Sequence, residues 1–87
     1  MYQIYIKKRI LKGIVKLPFS VQQKLSGLLF GLRETGPLQY EWPNFSQIGE
    51  NQYHCHLSRK WVACWQCEKD SIIIEVYYAG SRESAPY

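Results

Sequence analysis

Eighty-seven residues, 46% of them apolar and 15% aromatic, suffice for one domain with a small core and exclude a large cofactor-binding fold around a deep cavity. The formal net charge of +4 favours an anionic partner. Residues 1–37 carry Lys7, Lys8, Arg9, Lys12, Lys16, Lys24 and Arg33 against Glu34 alone, a net +6, whereas residues 38–87 carry four cations against six carboxylates, a net −2, so the N-terminal half is the expected footprint on a polyanion.

In chain order, Tyr2-Gln3-Ile4-Tyr5-Ile6 alternates and predicts a strand. From about Arg9 to Leu17 the period becomes helical. Ile10, Ile14 and Leu17 share one face, and Pro18 closes the segment. A second helix starts near Ser20, which has capping-box spacing to Gln23. Val21, Leu25, Leu28, Leu29 and Leu32 form its apolar stripe, and Gly36-Pro37 stops it. Gly27 and Gly31 lie four apart on one face, where the first helix is expected to approach closely. Residues 37–51 read as a loop that packs across the domain through Leu38, Trp42, Phe45 and Ile48. Three strands follow, Tyr53–Leu57, Trp61–Cys67 and Ile72–Tyr78, with connections of hairpin length. The order β-α-α-β-β-β predicts one α+β domain over residues 1–87. Its two N-terminal helices pack on one face of an antiparallel-rich sheet and leave the other face partly open.

There are three cysteines, an odd number. Cys64 and Cys67 lie three apart on one expected strand, hence on opposite faces, and reduced buried thiols in a cytoplasmic protein are the simpler account. The opening strand runs at once into Lys7-Lys8-Arg9, without the apolar stretch of a signal peptide. Runs such as Leu28-Leu29-Phe30 are far too short to span a bilayer. A soluble cytoplasmic protein without membrane contact or cofactor is expected.

The chemistry concentrates in the last third. His54 and His56 are two apart on a strand and project from one face. Strand alternation turns Tyr53, Cys55 and Leu57 to the helices and both histidines outward. In the last strand Ile72, Ile74, Val76 and Tyr78 share the helix-facing side. Glu75 is then on the open face, where a carboxylate would orient one imidazole and raise its pKa. Arg82 and Tyr87 follow that strand. Two imidazoles beside a permanent cation are what metal-free phosphodiester cleavage needs. A metal site is the competing reading, since His-x-His is a usable ligand pair. Alternation lets at most one of Cys64 and Cys67 join it. Trp61, Trp65, Tyr77 and Tyr78 are assigned mainly to the core, and Tyr87, on the tail, to substrate.

In order and spacing these segments resemble the RelE side of the RelE/ParE superfamily of bacterial and archaeal toxins. The residues that carry the resemblance are Lys16-Leu17-Pro18, Tyr53-His54-Cys55-His56-Leu57, Trp61-Val62-Ala63-Cys64-Trp65-Gln66 and Val76-Tyr77-Tyr78-Ala79-Gly80-Ser81-Arg82-Glu83. The resemblance implies the toxin of a type II toxin–antitoxin system, an mRNA interferase that cuts mRNA on the ribosome and inhibits translation. It implies attack by the ribose 2′-OH without metal, leaving a 2′,3′-cyclic phosphate and a 5′-OH. The implied partners are the ribosome, mRNA and a small acidic RelB-like antitoxin, with DNA reached only through the antitoxin. By position His54 and His56 fall where the family strand carries lysines, Arg82 on the arginine after the last strand, and Tyr87 on the C-terminal tyrosine that stacks on or orients substrate. Val62 stands where the family has an arginine, and Arg59 or Lys60 in the preceding turn is expected to supply that charge. His56 is the expected base, with His54 supporting. Lys8, Arg9, Lys12, Lys16 and Lys24 are assigned to the ribosomal RNA backbone. Two alternatives share the fold: a ParE-like gyrase-poisoning toxin and a non-catalytic RNA-binding module.

Overall fold

The apolar stripe of the second helix sets the architecture, because Leu25, Leu28 and Leu32 must be buried together. The computed structural model describes residues 1–87. Its elements are β1 (Gln3–Tyr5), α1 (Lys8–Ile14), α2 (Phe19–Thr35), β2 (Ser46–Gly49), β3 (Gln52–His56), β4 (Trp61–Gln66) and β5 (Ile73–Ser81). The sheet order is β1-β5-β4-β3-β2; β1 runs parallel to β5 and every other pair is antiparallel. The fold class is the α+β arrangement expected, with the helices on one face. One strand is added to the expected order.

That strand is β2, inside the segment expected to be a loop. It pairs with β3 through Ser46↔His54 and Gln47↔Tyr53, with an irregularity before Gly49. Trp42 and Phe45 pack across the domain as expected, whereas Leu38 is exposed. Phe45 stacks on Tyr53 and on Trp65, each at 6.0 Å between ring centroids. Trp65 Nε1 donates to the Pro37 carbonyl at 3.0 Å, so the largest buried side chain also has its polar atom satisfied.

The core joins Val21, Leu25, Leu28 and Leu32 of α2 to Tyr53, Cys55, Leu57, Ala63, Trp65, Ile74 and Val76 of the sheet region. Each large apolar side chain buried there contributes roughly 1.5–3 kcal/mol. By contrast α1 has no buried residue; it holds on through Ile14, half-buried against the core.

Three local expectations are corrected. The first helix ends at Ile14 rather than Leu17, because the residue before a proline avoids helical geometry and the unwinding starts ahead of Pro18. Ser20 lies inside α2 and caps nothing: the N-cap is Pro18, without a side-chain bond. Gln22 tightens the turn instead, its Nε2 donating to the Leu17 carbonyl at 2.8 Å. Gly27 and Gly31 admit the 37–42 segment rather than α1: a Cβ at Gly31 would come within 2.7 Å of Gln39 Oε1, and one at Gly27 within 3.8 Å of Trp42.

A bulge in β5 has the largest consequence for function. Trp65 pairs with Val76, but Cys64 pairs with Tyr78, so Tyr77 is an extra residue. Alternation reverses beyond it. Ile74 and Val76 face the helices as expected, Ala79 packs against the core, and Tyr78 moves to the open face beside Cys64. Ile72 precedes the strand and is exposed rather than helix-facing.

Candidate active site

The open face of the sheet is a set of rows defined by register. Ser46, His54, Cys64 and Tyr78 lie across β2, β3, β4 and β5, and His56, Val62 and Gly80 form the next row. Tyr53, Cys55 and Leu57 enter the core between them, so both histidines project from the other side.

The two imidazoles have different surroundings. The Tyr87 ring covers His54, with centroids 4.4 Å apart and planes tilted by 56°. Ser46 Oγ sits 3.0 Å from His54 Nδ1, and the residue is only 7% exposed. Burial lowers its pKa first, a hydrogen bond to Ser46 opposes that, and His56 lowers it further. His56 is half-buried, its ring 5.8 Å from that of His54. Asn44 Nδ2 stands 3.5 Å from its ring nitrogens. The His56 amide donates to the Pro43 carbonyl at 2.8 Å, which carries Asn44 alongside. Asn44 adopts φ 55°, a conformation asparagine tolerates well.

Cations flank the end of this face. The Arg82 amide donates to the Lys60 carbonyl at 2.7 Å, so the β3–β4 turn and the exit of β5 are tied together. The exposed Lys60 and Arg82 border a hollow of about 300 Å³ completed by Trp61, Ser81 and Glu83. Arg59 is exposed in the same turn. Burial raises the Tyr87 phenol pKa, and Arg82 opposes that rise. Tyr78 Oη donates to the Ser81 carbonyl at 2.7 Å, and its ring lies so close over Gly80 that a Cβ there would meet Oη at 2.9 Å. Cys64, fully buried on this face, has its thiol pushed up to about 12 by burial and is poorly nucleophilic.

The structure thus brings His54, His56 and Tyr87 to one surface, with Lys60 and Arg82 at its edge. Glu75 differs from expectation: its Oε1 accepts from Gln66 Nε2 at 3.0 Å, one row along the sheet, and the hydrogen-bond partner of His54 is Ser46. Val62 is fully buried between His56 and Gly80. Lys8, Arg9 and Lys12 on α1, Lys16 in the following turn and Lys24 on α2 are exposed but belong to the helical layer, across the sheet from the histidines. Cys67 packs into the core, and no three His, Cys, Asp or Glu side chains are grouped to hold a metal ion. No helix is long and apolar enough to cross a membrane.

Ser46, Asn44 and Tyr78 are site neighbours that sequence reasoning missed. A signal existed for the first two: Gly49-Glu50-Asn51 is a turn-forming string before a strand, and it marks a hairpin. Nothing local marks the bulge that reorients Tyr78.

No protein-family model and no curated protein matches the chain. Solved structures do. A chain of the archaeal RelE–RelB complex from Pyrococcus horikoshii OT3 superposes with a TM-score of 0.74 at 14% identity, covering 97% of this chain and 98% of that one. The isolated E. coli RelE toxin gives a TM-score of 0.74 at 20% identity, covering 99% and 89%. A chain of the YoeB–YefM complex from Staphylococcus aureus gives 0.70 at 9% identity, covering 94% and 98%. Over nearly its whole length, this chain has the fold of the RelE and YoeB toxins.

Proposed function

We propose that this chain is the toxin of a type II toxin–antitoxin pair and acts as a metal-independent endoribonuclease on ribosome-bound mRNA. The observation that carries the reading is the joint surface of His54, His56 and Tyr87 bordered by Lys60 and Arg82. The fold adds support. Solved relatives include the intact E. coli RelBE toxin–antitoxin complex, and a small acidic antitoxin matches the cationic N-terminal half here.

In this mechanism His56, the more accessible imidazole, takes the proton of the ribose 2′-OH. The 2′-oxygen attacks the phosphorus, the P–O5′ bond breaks, and a 2′,3′-cyclic phosphate and a 5′-OH result. Arg82 stays protonated and offers a planar fork to the phosphate oxygens as charge builds on them and on the departing oxygen, which takes its proton from solvent water as it leaves. His54, kept neutral by burial, supports as a hydrogen-bonding group rather than as the acid. Tyr87 stacks a base or orients the ribose. Lys60 and Arg59 bind the flanking backbone.

The test is cleavage of mRNA on purified ribosomes. His56→Ala is expected to lower the rate by about 10²–10⁴; undiminished cleavage removes His56 as the base. The combined His54, His56 and Arg82 to alanine variant is expected to lose toxicity in cells. Persistent toxicity would favour a gyrase poison of the same fold, and RNA binding without product would favour a non-catalytic module.

A further inference from the structure

We infer that Asn44 is a further catalytic residue: its side-chain amide donates to a non-bridging oxygen of the phosphate that is attacked through His56. This role rests on the nuclease reading. The geometry behind it starts in the backbone. The Phe45 amide donates to the Trp42 carbonyl at 3.1 Å, closing a four-residue turn over 42–45. Pro43 fixes a negative φ at the second position, and Asn44 has φ 55° at the third. That combination is a type II turn, whose third residue is most often glycine or asparagine. The turn is tied down on both sides. Trp42 and Phe45 pack against the core, and the Pro43 carbonyl accepts from the His56 amide at 2.8 Å. Asn44 precedes Ser46 by two residues and His56 follows His54 by two, so the Ser46↔His54 register sets them side by side. Asn44 is thus an exposed side chain on a fixed backbone.

The carboxamide stands against the His56 ring without blocking it. Asn44 Nδ2 is 3.5 Å from Nδ1 and 3.5 Å from Nε2. In the ring plane an atom equidistant from both nitrogens would collide with the carbons that join them, so the amide lies over a ring face. Both in-plane positions of the imidazole stay open, and one of them can take the 2′-OH proton. The ring nitrogens are the only polar partners of the carboxamide, at the outer limit of hydrogen bonding, so its N–H groups are available to an oxygen beside His56. Across the sheet, His56 is followed by Val62, fully buried, and Gly80. Gly80 is two strands away, roughly 10 Å, a gap that a phosphate and the Arg82 side chain span together. The phosphate then meets a neutral donor at one end of the row and a permanent cation at the other, where charge builds on its non-bridging oxygens. A neutral group suits the His56 end, because a second cation there would oppose the charge His56 gains with the proton.

The experiment is cleavage on purified ribosomes of a synthetic mRNA with one phosphorothioate at the cut site, supplied as separate Rp and Sp diastereomers. Sulfur is a weak acceptor, so the diastereomer whose sulfur faces Asn44 should be cut about 10- to 100-fold more slowly than the all-oxygen mRNA, the worth of one hydrogen bond to a charged group. Asn44→Gly suits the turn and removes the amide. It should lower kcat on the all-oxygen mRNA by about the same factor, with KM and the urea midpoint little changed, and should lose the extra slowing for that one diastereomer. Asn44→Asp keeps the size and tolerates the backbone but cannot donate, and should fall at least as far. Unchanged kcat in both variants would overturn the inference. So would a loss of kcat that leaves the slowing of both diastereomers intact, since that is what a merely structural role predicts. If the unaltered protein cuts neither the all-oxygen mRNA nor its analogues, the nuclease reading falls and the role of Asn44 with it. If it cuts them and the variants keep its diastereomer selectivity, Asn44 alone is removed.

Discussion

His54 carries a stability signature that follows from its burial. Its folded-state pKa lies below the value of about 6.5 for an unperturbed histidine. Between the two values the unfolded chain binds more protons than the folded one, so stability rises with pH there. The contribution is fully present above about pH 6.5 and is lost as the pH falls through the folded-state value. The urea midpoint is therefore expected to drop between pH 7 and 5, and to drop less in His54→Gln, whose side chain does not titrate. Equal slopes for the two proteins would mean that protonating His54 costs nothing in the folded state. Both histidines were legible as outward-facing from alternation alone. Their unequal exposure was not, because it depends on Tyr87, thirty-three positions further along the chain.

Among the elements, β5 decides the shape of the open face. The extra residue at Tyr77 turns Tyr78 outward, and Gly80 leaves room for its ring. Gly80→Ala would place a Cβ 2.9 Å from Tyr78 Oη and 3.1 Å from Cζ, displacing a hydroxyl that now bonds Ser81. The expected cost is about 1–3 kcal/mol in chemical denaturation; on the proposed function, cleavage should fall with it because the Ser81–Arg82 exit shifts. An alanine variant of unaltered stability would show that Tyr78 moves aside freely. The strand was legible from Ile72 to Tyr78, from its β-branched and aromatic residues and the alternation of Ile74 and Val76 against Ile73 and Glu75, and it runs from Ile73 to Ser81. The facing of its second half was not, because a bulge inserts one residue without any marker such as glycine or proline at Tyr77. The edge strand β2 was missed for a related reason. Four residues containing one isoleucine, Ser46–Gly49, carry too little pattern to outvote the prolines and asparagine around them.

Across the whole molecule, charge and chemistry are on different layers. The cations of α1 and α2 lie on the helical side and the histidines on the open sheet face. A polyanion large enough to meet both, such as ribosomal RNA around an mRNA, would wrap the domain rather than fill one pocket. The combined Lys8, Arg9 and Lys12 to alanine variant is expected to weaken ribosome binding. It should also reduce the slope of log K against log salt by roughly 0.7–0.9 for each phosphate that is no longer neutralised. An unchanged slope would assign these cations to solvent, or to the acidic antitoxin of the proposed function.

By itself the sequence determined the helix–sheet layering, the leucine face of α2, the alternation of β3 and the split of charge between the two halves, because each is written in local periodicity or composition. Only the tertiary structure decided which imidazole is covered, that Ser46 rather than Glu75 meets it, and that Tyr78 faces outward. Those three outcomes follow from strand register, a bulge and a tail laid across the sheet. They join residues far apart in the chain, and no spacing between neighbours encodes such meetings.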